Sequence, residues 1–341
     1  MDMRYSRQIL FRPIGQAGQE RLLGSRVAIV GMGALGTVLA NHMVRAGVGF
    51  VRLIDRDFVE PSNLQRQMLY DEEDARQSLP KAIAAAEKLR RINSGVQVEP
   101  HVTDLTPYNA EELLADADLV LDATDNFQTR YLINDVCVKH GKPWIYGGAV
   151  SAKGMFTAIR PGETPCLRCL FPEAPKAGDA PTCDTAGVIG PIIHIVASYQ
   201  ATEALKLLVG ARDAFNPNLE HFDLWENRHQ QIRVAHTRRP DCPACGKREF
   251  TYLMPDTQEG MAVSLCGRNT VQITPGGRSQ LQLDKLAETL APLGEIERNR
   301  FLLRFRTEPY TLVVFPDGRV LVQGTDDISV ARTLYAKYIG A

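Results

Sequence analysis

Apolar and polar positions in the first 150 residues alternate between a strand period and a helix period. Arg26 to Gly31, RVAIVG, is a short β-rich run that breaks into glycines. Roughly Leu35 to Ala46 then carries apolar residues at helical spacing, and FVRLID is a second apolar run ending on Asp55. Unbroken apolar strands joined by a helix predict parallel pairing in a sheet covered on both faces. PKAIAAAEKLRRIN predicts a helix with Pro80 near its first turn, where a missing N–H is harmless. VQVEPHV and DADLVLDATDN predict two more strands, the second ending in carboxylates. A helix from about Phe127 to Lys139 and a strand at PWIYGGAV continue the alternation. Up to about Val150 the pattern predicts an α/β fold with a doubly wound, Rossmann-like sheet.

The pattern then changes. GMFTAIRPG suggests a strand, PCLRC and the proline-bearing FPEAPKAGDAP follow, and a long helix spans about Pro191 to Leu208 before CPAC. Beyond roughly Lys247 the chain predicts a separate small α+β domain. Its elements are a strand near VQIT, a helix near LDKLAETLA, strands RFLLRFR, YTLVVFP and RVLVQG, and a final helix from Asp327 to Tyr338. Asp317-Gly318 marks the hairpin turn between the last two strands. The expected domains are therefore residues 1–246 and 247–341.

Composition narrows the classes. The 341 residues carry a net charge of −1, which gives no electrostatic case for nucleic acid or an anionic membrane. The N-terminus MDMRYSRQILFRP scatters charge through any apolar stretch, unlike a signal peptide. The helix near Pro191 holds His194, Gln200, Glu203 and Lys206, unlike a membrane span. Seven cysteines, four of them in two C-x-x-C pairs, fit a reducing compartment and a metal better than a disulfide framework. A cytoplasmic protein is expected.

Candidate chemistry lies at the strand ends. Gly31, Gly33 and Gly36 form GMGALG between a strand and a helix, where glycines allow close approach of backbone to phosphate. Asp55 ends the next strand, placed to bond a ribose hydroxyl. These features bind a nucleotide without choosing between NAD and ATP. The run DRDFVEPSNLQRQ adds Asn63, Arg66 and Gln67; Lys81 opens the next helix, and Asp125 with Asn126 ends the fourth strand. Two cations and a hard oxygen ligand suit a triphosphate with Mg²⁺ better than a dinucleotide. The alternative is that Arg66 and Lys81 are solvated surface charges. Cys166, Cys169, Cys242 and Cys245 supply four thiolates, enough for a closed structural zinc site. Two unrelated pairs, or a redox pair, are the alternatives. Cys183 belongs to neither pair, and Cys137 and Cys266 read as packing residues.

RYSRQILF, GMGALG, LIDRD, SNLQRQ, DATDN, both C-x-x-C pairs and AGVIGP stand in the order found in ThiF/MoeB/HesA adenylyltransferases. The chain resembles that family, and the adenylation part of ubiquitin-activating enzymes, from about Arg4 to Gly246. The resemblance implies that the C-terminal glycine carboxylate of a ubiquitin-fold sulfur carrier attacks the α-phosphate of ATP, giving an acyl-adenylate and pyrophosphate. It implies that Arg7 reaches the β- and γ-phosphates from the partner subunit of a homodimer. Asp55 would hold the ribose, Asn63, Arg66 and Lys81 the phosphates, and Asp125 the Mg²⁺. Ala34 stands where the family often has glycine, which touches only the fine fit of the loop. TCDTAGVIGP looks more like the thiamine branch, in which Cys183 would accept the acyl group and pass through an acyl-disulfide with sulfur from a donor protein. An idle, buried Cys183 is the competing reading. The molybdopterin branch is the alternative function. A nicotinamide oxidoreductase or an inactive carrier-docking module would be functions of another class.

Overall fold

The computed structural model describes residues 3–173, 183–254, 261–265, 269–275 and 281–340. Contacts divide the chain into one unit of residues 1–175 with 186–255 and another of 176–185 with 256–341. In chain order the elements up to residue 233 are helices α1 (Ser6–Leu10) and α2 (Gly15–Gly24), strand β1 (Arg26–Val30), α3 (Ala34–Ala46), β2 (Phe50–Ile54), α4 (Glu72–Arg76), α5 (Lys81–Ile92) and β3 (Gln97–His101). There follow α6 (Ala110–Leu114), β4 (Leu119–Asp122), α7 (Phe127–His140), β5 (Trp144–Val150), β6 (Lys153–Ile159), α8 (Leu167–Leu170), α9 (Cys183–Ala186), α10 (Gly190–Val209), β7 (Asn218–Asp223) and β8 (Arg228–Arg233).

Eight strands form one sheet in the order β3-β2-β1-β4-β5-β6-β7-β8. Pairing is parallel from β3 to β5 and antiparallel from β5 to β8. β1 shows why the apolar runs do not alternate. Its Val27 and Ile29 enter a core with Leu39 of α3, Ala85 of α5 and Val196 of α10. Its Ala28 and Val30 enter a second core with Leu114 of α6 and Ile133 of α7. Burial of both faces requires apolar residues at every position. The predicted doubly wound sheet is therefore present, with its order reversing between β1 and β4, where such sheets open a crevice. β4 ends at Asp122, so Asp125 lies in the loop beyond it rather than closing the strand. β7 and β8 extend the sheet past the predicted elements.

The second unit has β9 (Met261–Leu265), β10 (Thr270–Thr274), α11 (Leu283–Leu290), β11 (Glu295–Arg298), β12 (Leu303–Thr307), β13 (Tyr310–Val314), β14 (Val320–Gln323) and α12 (Ile328–Tyr338). Its sheet runs β11-β12-β13-β14-β10-β9, all antiparallel. Leu303, Phe305, Leu312, Val314 and Val322 face Leu290 of α11 and Ala331 of α12 in a separate core. The turn at Asp317-Gly318 is as predicted, with Gly318 at φ +83° and Asp317 accepting the Arg319 N–H. Among the described residues no helix is long and apolar enough to cross a membrane.

Candidate functional site

After β1 the chain turns through Gly31, Met32 and Gly33 before Ala34 opens α3. Gly31 sits at φ +92° and donates its N–H to the Ile54 carbonyl at 2.8 Å. A β-carbon on Gly36 would lie 1.9 Å from the Gly31 carbonyl oxygen, so only glycine lets the helix close against its own turn. Gly33 differs: an added β-carbon would meet nothing nearer than Gln67 Nε2 at 3.9 Å. Two glycines thus serve packing, and the third leaves bare backbone facing open space at a helix N-terminus, where N–H groups and the dipole favour an anion.

Asp55, just past β2, accepts the Met32 N–H through Oδ2 and the Asp57 N–H through Oδ1, both at 2.6 Å. It therefore fixes the turn as well as standing beside it. Burial raises its pKa, against the pull of Lys81 and with repulsion from Asp57. Lys81 is 5% exposed, and its ammonium lies 3.3 Å from Asp57 Oδ2. A buried ammonium with three donors and one long carboxylate contact retains capacity for another anion. The Tyr70 hydroxyl donates to the Met32 carbonyl at 2.7 Å and stands 3.1 Å from the Lys81 carbonyl, joining the turn to α5. Burial pushes its pKa well up, so it stays a donor.

Asn63 is buried; its Oδ1 accepts the Glu60 N–H at 3.2 Å, and its carbonyl accepts the N–H groups of Arg66 and Gln67. The half-buried Arg66 reaches the Ser62 carbonyl at 3.0 Å. Gln67 is buried with no hydrogen-bond partner at Oε1.

Beyond β4 the two acids separate by environment. Asp122 is fully buried and accepts from the Thr124 N–H and hydroxyl at 2.9 and 2.7 Å and from Arg130 Nε at 3.3 Å. Burial raises its pKa, against Arg130. Arg130 also donates to the Thr124 carbonyl at 2.6 Å, below the rings of Phe127 and Tyr146. Asp125 is exposed, and the one hydrogen bond at its carboxylate among the described residues is a 3.4 Å contact from Asn126 Nδ2. Asn126 uses Oδ1 to accept the Thr129 N–H at 2.9 Å, capping α7.

The structure thus brings Gly31, Gly33, Ala34, Asp55 and Lys81 together, with Asn63, Arg66 and Gln67 on the adjoining loop. It does not bring Arg7 to them: that residue is exposed on α1. Cys183 opens α9, and its side chain lies outside the described residues, as does Cys266. Tyr70, Asp122 and Arg130 were not found by sequence reasoning. Their roles come from carbonyls and a buried ion pair, which leave no residue spacing to recognise.

The cysteine pairs converge. Sγ separations are 3.9 Å for Cys166–Cys169, 3.6 Å for Cys166–Cys242 and 3.4 Å for Cys169–Cys245, and all four sulfurs lie within 4.8 Å of one another. Zinc–sulfur bonds of about 2.3 Å at tetrahedral angles put sulfurs about 3.8 Å apart, so the set fits zinc. Asn134 of α7 accepts the Leu167 N–H at 2.9 Å, holding the first knuckle in place. A hydrogen bond from Cys166 pulls the Cys169 thiol down to about 4, whereas burial pushes Cys245 up to about 11. Cys137 is fully buried among apolar side chains of the α7 core.

The ThiF family matches residues 5–244. The chain is 47% identical over 341 residues, all of both chains, to the sulfur carrier protein ThiS adenylyltransferase of Bacillus subtilis. It is 42% identical over 248 residues to the sulfur carrier protein adenylyltransferase of Thermus thermophilus, covering 71% of this chain and 90% of that one. A solved structure of E. coli MccB with ATP superposes with a TM-score of 0.61 at 22% identity, covering 72% of this chain and 75% of the other; that likeness is one of fold.

Proposed function

The chain belongs to the ThiF family, and from that premise we propose that it adenylylates the C-terminal glycine carboxylate of a ubiquitin-fold sulfur carrier for thiazole formation in thiamine biosynthesis. It is an adenylyltransferase: its full-length likeness is to an enzyme named for acting on ThiS. The observation that supports the site most is the bare backbone at Gly33 beside the buried, under-partnered ammonium of Lys81.

The chemistry at phosphorus needs no covalent nucleophile from the protein, since positioning and charge stabilisation carry such transfers. The N-terminus of α3 receives phosphate oxygens at Gly33 and Ala34. Lys81 leaves its long contact with Asp57 to meet the charge that gathers on the departing pyrophosphate, helped by Arg66 and Asn63. Asp55, held by two backbone N–H groups, retains lone pairs for a ribose hydroxyl. The exposed carboxylate of Asp125 would hold Mg²⁺, which would supply charge neutralisation for the phosphates. Asn126 contributes chiefly by capping α7. Arg7, exposed on α1, would complete the site of a partner subunit in a homodimer. Cys166, Cys169, Cys242 and Cys245 would hold a structural zinc with no open coordination position. In the thiamine reading Cys183 takes the carrier's acyl group from the adenylate, its thiolate forming a thioester as AMP leaves. A persulfide on a sulfur donor then attacks that carbonyl, giving an acyl-disulfide and releasing the Cys183 thiolate. A reducing cytoplasm suits these thiols.

The test is intact-mass analysis of the thiamine carrier and of the molybdopterin-synthase carrier, each incubated with enzyme, ATP and Mg²⁺. AMP on the thiamine carrier alone is expected. Labelling of the molybdopterin carrier instead would move the protein to that branch. With a persulfide donor and a thiol reductant added, Cys183→Ala should retain adenylylation and lose the downstream thiocarboxylate; unchanged thiocarboxylate would make that thiol idle.

A further inference from the structure

The ends of the sheet opposite the glycine turn bear a cavity, which the adenylylation chemistry does not use. It measures about 540 Å³ and lies at the starts of β1, β4 and β5, marked by Ser25, Asp118 and Pro143. That volume suits a small organic ligand. Its apolar lining comes from Leu207 and Leu208 in the last turn of α10 and from the two prolines Pro143 and Pro161.

The polar lining is cationic. Arg21, Arg160, Lys206 and Arg212 face it. Arg160 pairs with Glu163, and Lys206 with the buried Glu203 at 2.6 Å. Asp118 also lines the space and accepts the Arg26 N–H. Setting these three acids against the four cations leaves one positive charge in excess.

Cations near helix C-termini often serve only as caps, and Arg21 does so, donating to the Val209 carbonyl. Arg160 and Arg212 make no such bond among the described residues. Arg160 Nε is buried without a hydrogen-bond partner, its guanidinium lying over the Phe215 ring at 4.2 Å. Arg212 is exposed, with no acceptor among the described residues. The Arg160 side chain as a whole is 19% exposed, so its guanidinium keeps an accessible edge beside its pairing with Glu163.

We propose that this cavity binds a small organic anion, a phosphate or carboxylate head on an apolar body. The head meets the exposed edge of the Arg160 guanidinium and Arg212, while the body lies on Leu207, Leu208 and the two prolines. This site is separate from the adenylylation site and stands whether or not that chemistry is as described.

Calorimetric titration of the full-length protein tests it, with ATP and Mg²⁺ saturating so that the glycine turn is filled. The probes are phenyl phosphate, benzoate and, as the uncharged control, benzyl alcohol. One or both anions should bind, the stronger identifying the head group, and benzyl alcohol should not. Arg160→Met and Arg212→Ala should each weaken the anion roughly tenfold. Glu163→Gln, which frees Arg160 and adds positive charge, should tighten it. Arg212 is at the surface, so Arg212→Ala decides the matter even if Arg160→Met fails to fold. No binding up to about 10 mM, or binding to both arginine variants as tight as to wild type, would overturn the proposal.

Discussion

The glycine turn and the cysteine cluster lie in the same unit and treat their polar groups in opposite ways. At the turn, among the described residues, Gly33 faces open space, Lys81 has one ion pair, at 3.3 Å, and Gln67 Oε1 has no hydrogen-bond partner. At the cluster, four sulfurs sit within 4.8 Å of one another, three of the cysteines buried. Unanswered groups at a helix N-terminus are an invitation to a ligand that comes and goes. Four thiolates with no vacant position suit a metal that stays.

The largest effect that could break this contrast is expected at the cluster. Cys242→Ser removes a ligand from a site whose zinc can be worth on the order of 10 kcal/mol. The variant should lose stoichiometric zinc by elemental analysis and unfold at far lower temperature. A zinc-free variant as stable as wild type would show that the cluster is not a structural centre.

Lys81→Met should do the reverse. An apolar side chain suits a buried position, so the melting temperature should stay near that of wild type. Adenylylation should fall about 10²- to 10³-fold, the usual cost of a lost donor at developing charge. The two neighbouring glycines sharpen the distinction further. Gly36→Ala drives a β-carbon into the Gly31 carbonyl and should cost about 1–3 kcal/mol of stability by calorimetry. Gly33→Ala meets open space, and should leave stability unchanged while raising the KM for ATP.

The smallest effect concerns Asp135, a buried acid on α7 that accepts the Tyr252 N–H at 3.0 Å. Burial raises its pKa to about 6, so the folded protein holds this proton more tightly than the unfolded chain does. The resulting stabilisation is full below about pH 4 and is lost as pH rises through about 6. Asp135→Asn keeps an acceptor for Tyr252 without a buried charge. Thermal unfolding should show it about 3 kcal/mol more stable than wild type at pH 7.5, with the difference vanishing toward pH 4.

The contrast also explains what the sequence could disclose. β1, β2 and β4 were legible because burial on both faces makes them largely apolar runs, broken in β2 only by Arg52, which is buried in ion pairs with Glu99 and Asp116. GMGALG was legible because close backbone approach demands glycine at fixed spacing, and the cysteines because a tetrahedral ion demands four of them. β8, RHQQIR, was not: every one of its residues is exposed, so no period marks it. β11, EIER, is hidden for the same reason, with three of four residues exposed. Asp122 and Asp125 looked alike in DATDN, and only burial separates the acid bonded to Arg130 from the exposed one. Tyr70 acts through two carbonyl oxygens, which any residue supplies, so its place at the site follows from the fold alone.

The most direct test of the central claim is ATP–pyrophosphate exchange in the presence of the thiamine sulfur carrier. Wild type should exchange label only when the carrier has its terminal glycine carboxylate, and Lys81→Met should reduce that exchange at least about 10²-fold. Exchange independent of the carrier, or undiminished in Lys81→Met, would contradict carboxylate activation at the glycine turn.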